Sequence, residues 1–179
     1  MRVSKTPQQS TARAYAFRTD PRPQDFNAIL QLHRDVYARE HGFDATFETH
    51  VAGPLSEFMK GDQSGGRLWL ATPREDSADD AGLAGCIAIV RASETAAQLR
   101  WFVVASHHRG RGLGTSLLNE ALAFSREQGY QSVFLWTVSV LHAAARLYEA
   151  AGFRKVEEHP QVLWGISLAE QRYEMVLNP

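Results

Sequence analysis

LRWFVVASHHRGRGLGTSLL, residues 99–118, reads as a strand that runs into a glycine-broken loop and opens a helix. Gly110, Gly112 and Gly114 remove side chains from alternate positions, so the backbone can come close to a ligand with its N–H groups outward. Those donors stand at the start of a helix whose dipole favours an anion. Arg109 and Arg111 add guanidinium forks suited to phosphate oxygens. A phosphate-bearing ligand is the first expectation.

Working outward, residues 83–91 and 98–104 are apolar runs joined by ASETAA and read as an antiparallel hairpin. In the second run Leu99, Trp101 and Val103 alternate with Arg100, Phe102 and Val104, which puts Arg100 on the other face. After the loop, Leu113, Leu117, Ala121 and Phe124 form a helical stripe that Gly129 ends. Residues 131–137 are a strand, so 98–137 is a strand–helix–strand unit with parallel strands and a right-handed crossover. A last helix spans about residues 140–151, a strand starts at Gly152-Phe153, residues 159–164 read as a late loop, and residues 171–177 should close the sheet edge.

Toward the N-terminus, residues 15–18 start a short strand, and Phe26, Ile29, Leu30, His33, Val36 and Tyr37 lie at helical spacing in a helix ending near His41-Gly42. A second helical pattern, residues 45–59, contains Gly53-Pro54, which should kink or divide it. A turn over residues 61–66 leads into a strand over 67–71, and residues 74–80 form a solvated loop. Residues 1–13 are polar and read as a flexible tail, leaving residues 14–179 as a single domain.

Composition bounds the function. The chain has 179 residues, 44% hydrophobic and 22% charged, which fits one α/β domain. A formal net charge of -1 gives no general pull toward nucleic acid or an anionic membrane. The lone Cys86 sits in an apolar run, as a buried thiol would in a reducing compartment. No apolar run approaches the ~20 residues that span a bilayer, and the polar N-terminus lacks a signal-peptide core. A soluble cytoplasmic protein with no membrane or nucleic-acid partner is expected.

The glycine loop admits three nucleotide-type readings. A Walker loop needs Gly-Lys, and the chain has no such pair. A dinucleotide fingerprint would start at Gly110, but Thr115 holds its third glycine position and no acidic residue ends the next strand, which closes Trp136-Thr137-Val138. An arginine followed by Gly-x-Gly-x-Gly, with N–H groups wrapping a pyrophosphate, fits without exception.

Arg109-Gly110-Arg111-Gly112-Leu113-Gly114 resembles the acyl-CoA signature of the GNAT acetyltransferase superfamily, Arg/Gln-x-x-Gly-x-Gly/Ala after a strand. Residues 144–153, AAARLYEAAGF without their first alanine, separately resemble its later Ala-x-x-Leu-Tyr-x-x-x-Gly-Phe segment. The similarity spans about residues 15–177, and the ending LYEAAGFRKVEEHP is most like the acetyltransferase halves of bacterial proteins fused to MarR-type DNA-binding domains. The resemblance implies the GNAT fold: a mixed, mostly antiparallel sheet of about six to seven strands, a parallel strand–helix–strand core and helices on both faces.

It also implies roles. Backbone groups of Val103 and Val104, where the fourth strand splays from the fifth, would hold the pantetheine arm and acetyl carbonyl of acetyl-CoA, the cosubstrate, as an added strand would. Backbone N–H groups of Arg109, Gly110, Arg111, Gly112, Leu113, Gly114 and Thr115 would hold the pyrophosphate. Tyr148 stands where the family often places a tyrosine able to protonate the departing thiolate. An asparagine common seven residues earlier is replaced by Leu141. Glu40, His41, Asp44 and Glu48 lie in the early helices that cover the acceptor in this superfamily, and Glu48 is the preferred base because the break at residues 41–44 would aim the next turn at the cleft.

Trp136, at the carboxyl end of its strand, is placed to line the acceptor pocket, while Trp69, Trp101 and Trp164 read as core. His107-His108 reads as a solvated loop, and no metal site is expected because no Glu or Cys stands at ligand spacing. The expected activity is acetyl-CoA-dependent N-acetylation of a primary amine on a small molecule or peptide, by direct attack in a ternary complex, with a homodimer as a possible assembly. The alternatives are a non-catalytic acyl-CoA binder or sensor and a nucleotide-binding protein.

Overall fold

The computed structural model describes residues 14–74 and 82–177. The expected tail and most of the acidic loop at 74–80 lie outside them. Seven strands form one sheet in the order β1-β2-β3-β4-β5-β7-β6. They are β1 Tyr15–Arg18, β2 Arg67–Pro73, β3 Gly85–Arg91, β4 Ala96–Val104, β5 Ser132–Val138, β6 Arg154–Leu163 and β7 Ile166–Val176. The helices are α1 Pro23–His41, α2 Ala45–Lys60, α3 Leu113–Glu127 and α4 His142–Ala151.

Each face of the sheet carries its own core. One layer packs α3 and α4 against the sheet through Leu113, Leu117, Leu118, Ala121, Phe124 and Tyr148. The other packs α1 and α2 through Ile29, Val36, Phe47, Val51 and Leu55. The carboxylate of Asp25 ties the start of α1 down, accepting from Arg22 N at 2.6 Å and from Arg18 Nη2 of β1 at 2.7 Å. At its end Gly42 takes the left-handed conformation, φ 70°. Pro54 does not divide α2, which runs unbroken; Val51 and Leu55 are buried on either side of it, and that burial offsets the lost hydrogen bond.

The sheet is antiparallel except between β4 and β5. Those two pair in parallel over only Ala96↔Ser132, Ala97↔Val133 and Gln98↔Phe134, after which they diverge. The simple alternation read for β4 does not hold. The register against β3 shifts between Cys86 and Ala88, so Trp101 and Phe102 together face one residue, a β-bulge. Trp101 sits at φ 48°, rare for a bulky residue. Its carbonyl accepts the Cys86 Sγ–H at 3.1 Å, and its ring lies 5.4 Å from that of Phe58. Before the bulge Ala97 and Leu99 face the α3 layer; after it Phe102 and Val104 do, while Trp101 and Val103 turn to the α1–α2 layer.

The C-terminal expectations also need correcting. Residues 171–177 do not close the edge: β7 lies between β5 and β6, and β6 is the edge strand. The late loop at residues 159–164 is instead the end of β6, joined to β7 by the two-residue turn Trp164-Gly165. Both turn residues have positive φ, 51° and 83°, the twist a tight hairpin requires. The last helix begins at His142, two residues after the position read for it, with Leu141 at its N-cap.

Candidate functional site

The divergence of β4 from β5 leaves a gap in the sheet, and two cavities meet there. A cleft of about 650 Å³ lies between β4, the glycine loop, α1 and α4. A smaller pocket of about 140 Å³ lies beneath α1 and α2. Tyr37, Phe102, Leu141 and Ala144 line both.

The glycine loop forms the outer end of the cleft. Gly110 and Gly112 have φ of 72° and 80°, a region that only glycine enters readily. Gly112 caps α3 with no side-chain bond, so the first-turn N–H groups of Leu113, Gly114 and Thr115 have no helical partners. Gly114 differs from them: a Cβ there would rest in ordinary contact, 3.4 Å from Leu147 and 3.6 Å from Phe102, so the absent side chain keeps the start of the helix close to the cleft without being a steric necessity. Among the residues expected to bind the donor, Val103, Val104, Arg109, Gly110, Gly112, Leu113, Gly114 and Thr115 line the cleft, and Arg111 does not.

Arg109 does not reach out as a free fork. Its Nη1 pairs with Glu40 Oε2 at 2.5 Å, its Nε donates to Val104 O at 3.2 Å, and Ser106 Oγ also donates to Glu40. Burial raises the Glu40 pKa, but the bonds from Arg109 and Ser106 outweigh it and leave the carboxyl below its ordinary value. Glu40 is therefore a fixed anion that braces the loop. Nearby, His108 is buried rather than solvated, with its Nδ1 3.0 Å from Tyr15 Oη.

Tyr148 lies in the smaller pocket at 5% exposure, against the rings of Phe102, Phe153 and Tyr173. Burial and then the neighbouring Tyr37 push its pKa above the tyrosine value, so it stays protonated. No buried polar side-chain atom among the described residues is without a partner, and the Tyr148 hydroxyl bonds to none of them, so it opens to the cavity.

Glu48 is a correction to the expectation. It lines neither cavity and is held by Arg34 in a two-bond pair, both at 2.7 Å, whose hydrogen bond lowers its pKa. A carboxylate so satisfied on the outer surface is a poor proton acceptor for this site. Asp44 is likewise structural, its Oδ1 accepting from Thr46 N at 2.9 Å at the start of α2.

The pocket is built mostly from residues whose roles the sequence did not disclose. His33 on α1 is buried, and its Nδ1 lies 2.8 Å from Ile29 O. A carbonyl can only accept, so Nδ1 carries the proton and Nε2 keeps its lone pair. Burial lowers the His33 pKa to about 4 against the raising effect of that bond. His50, Arg100, Trp136, Trp164 and Glu170 complete the wall, with Trp136 at 39% exposure. Trp164 lies 4.9 Å from Phe43 and 4.8 Å from Phe47, so the β6–β7 turn reaches back to the early helices. Among the described residues no group of His, Cys, Asp and Glu is placed to hold a metal ion.

Comparison with known proteins follows the same line. The profile of the Acetyltransferase (GNAT) family matches residues 26–153. N-acetyltransferase 8B of Rattus norvegicus is 32% identical over 115 residues, which are 61% of this chain and 50% of that protein, so the chain spans half of this relative's length. An uncharacterized N-acetyltransferase of Schizosaccharomyces pombe is 30% identical over 142 residues, 76% of this chain and 81% of that one. Arabidopsis thaliana NAA60, solved in complex with acetyl-CoA, superposes with a TM-score of 0.70 at 19% identity, covering 92% of this chain and 99% of that one.

Proposed function

From the premise that this chain belongs to the Acetyltransferase (GNAT) family, we propose that it moves an acetyl group from acetyl-CoA to a primary amine by direct attack in a ternary complex. The observation that carries this reading is the meeting of the two cavities at Tyr37, Phe102, Leu141 and Ala144, which gives donor and acceptor one point of contact.

In this reading the pyrophosphate sits on the N–H groups of residues 109–115, and the pantetheine arm lies along β4 where β5 has diverged. Ala105 N donates to Ala84 O at 2.9 Å on the β3 side, so strand alternation turns the Val104 N–H to the gap, where it can stabilise the developing oxyanion. Tyr148 gives its proton to the departing sulfur. An amine of pKa ~10 is almost wholly protonated near neutrality and must lose a proton first. The basic groups of the pocket, His33, His50 and Glu170, take the role that Glu48 cannot.

Support for the donor comes from the loop geometry and from family membership. The finer likeness to acetyltransferase halves of MarR-type fusions remains a reading of residues 147–160. Among the described residues no helix is long and apolar enough to cross a membrane, in keeping with the cytoplasmic location proposed here. A homodimer would use the edge strand β6, where Val156 and Val162 are exposed. Release of free thiol from acetyl-CoA with a panel of amines tests the activity. Binding of acetyl-CoA with no release above background would favour a sensor, and preference for NAD or ATP over CoA in competition calorimetry would overturn the donor.

A further inference from the structure

The smaller pocket holds one cation and one anion that no ion pair among the described residues neutralises. Arg100, half-buried on β4, lines it and makes no hydrogen bond or ion pair with any described residue. Its guanidinium carbon lies 5.0 Å from the Trp101 ring centroid, and Glu57 of α2 acts on it only from beyond ion-pair distance. Because no buried polar side-chain atom among the described residues lacks a partner, the guanidinium nitrogens are open to solvent. Glu170, on β7, accepts from Gln161 Nε2 at 2.9 Å and pairs with no cation among the described residues. His50 feels both: burial lowers its pKa first, Arg100 adds to that, and Glu170 opposes it.

The other walls are rings. Tyr37 and Phe43 stack at 5.7 Å, and Trp164 packs on Phe43 and Phe47. The pocket volume, about 140 Å³, is close to the ~150 Å³ of an apolar protein cavity that takes up benzene. A guanidinium drawn partly out of water without a counterion is costly, and a planar carboxylate would satisfy its fork with two parallel bonds. Unpaired cation, unpaired anion and an apolar wall together are the complement of a zwitterion with an apolar side chain.

Resting on the acetyl-transfer reading above, we propose that the acceptor is an α-amino acid with an apolar or aromatic side chain. Arg100 binds its carboxylate, Glu170 faces its ammonium, and the rings of α1, α2 and the β6–β7 turn enclose its side chain. The ammonium passes one proton to Glu170, and the freed lone pair forms the C–N bond to the acetyl carbon. The C–S bond then breaks, and the thiolate takes the Tyr148 proton. The second proton leaving nitrogen restores Tyr148, so ammonium and acetyl-CoA give amide, CoA thiol and one proton, which Glu170 returns to solvent.

The test compares L-phenylalanine with phenethylamine, and L-leucine with 3-methylbutylamine, as ligands of the CoA-saturated protein in calorimetry. The wild type is expected to bind each carboxylated partner about 10- to 100-fold more tightly than its decarboxylated one. Arg100→Gln should erase that preference, Arg100→Lys should restore part of it, and CoA affinity should stay unchanged in both. Glu170→Gln should weaken both members of each pair. Equal affinity within the pairs, no measurable binding of either amino acid, or a preference that survives Arg100→Gln overturns the proposal. Should Arg100→Gln fail to bind CoA, and so fail to fold, the wild-type pairs and Arg100→Lys still decide. Thiol release is read separately: carboxylate-dependent binding without release from acetyl-CoA would sink the transferase reading and leave the amino-acid site standing.

Discussion

At the scale of single residues, placement separates the groups that can act from those that only hold the fold. Tyr148 has a buried ring, an unbonded hydroxyl open to the cavity and a raised pKa. Tyr148→Phe should keep CoA affinity and lower kcat by about 100-fold, the low end for loss of a general acid. The wild-type rate, followed by thiol release, should show no alkaline limb from Tyr148 within the ordinary tyrosine range, because burial holds its proton above that range. Glu48→Gln makes the opposite case: the Arg34 pair is outside both cavities, so kcat/KM should stay within about twofold of wild type. The sequence marked Glu48 through the helix break at residues 41–44, a signal that locates a turn but not the direction in which the next carboxylate points. Arg100 was visible as the polar member of an apolar strand, and nothing along the chain indicated that it would lack a counterion.

The elements divide the same way. The start of α3 was legible because glycines at alternate positions have a backbone cause: at φ 72° and 80°, Gly110 and Gly112 occupy conformations that a Cβ opposes. Gly112→Ala should destabilise the protein by about 1–2 kcal/mol in urea unfolding, and it should weaken CoA binding by distorting the first-turn donors. Leu117, fully buried in the same helix, should cost about 2–5 kcal/mol as Leu117→Ala while leaving the loop intact. The β6–β7 hairpin was not legible. Residues 154–162 are largely exposed on an edge strand, so no apolar face marks them, and the turn uses Trp164-Gly165 where Asn-Gly or Asp-Gly would have signalled it. The bulge in β4 was hidden too, since its sequence continues an apolar run straight through the irregularity.

For the whole molecule, acid should remove stability in two stages. His33 is neutral in the fold with a pKa of about 4, whereas an unfolded histidine titrates near 6.5. The unfolded chain therefore binds more protons between those values, so stability is full above pH 6.5 and falls by about 3 kcal/mol as pH drops to 4. Asp25 and Glu40 follow. Burial raises each, but hydrogen bonds from Arg18 and Arg22, and from Arg109 and Ser106, leave both below their ordinary values, so their stabilisation goes at still lower pH. Urea midpoints measured from pH 7 to 4 check the first stage, and His33→Gln should shrink it, leaving the part due to His41 and His50, whose pKa values burial also lowers. The fold class was legible because local patterns fix a strand–helix–strand unit, whereas the pocket gathers His33, Arg100, Trp136 and Glu170 from four distant segments that only the finished sheet brings together. The sheet also divides its labour by arithmetic. A strand counts in twos, and the bulge at Trp101 and Phe102 inserts an odd step into that count. Chain neighbours Arg100 and Trp101 both line the inner pocket, while Val103 and Val104 line the outer cleft, and Phe102 belongs to both. A deletion of one residue there would restore the even count and turn the rest of the strand over, sending Val103 toward the α3–α4 layer and Val104 toward the α1–α2 layer.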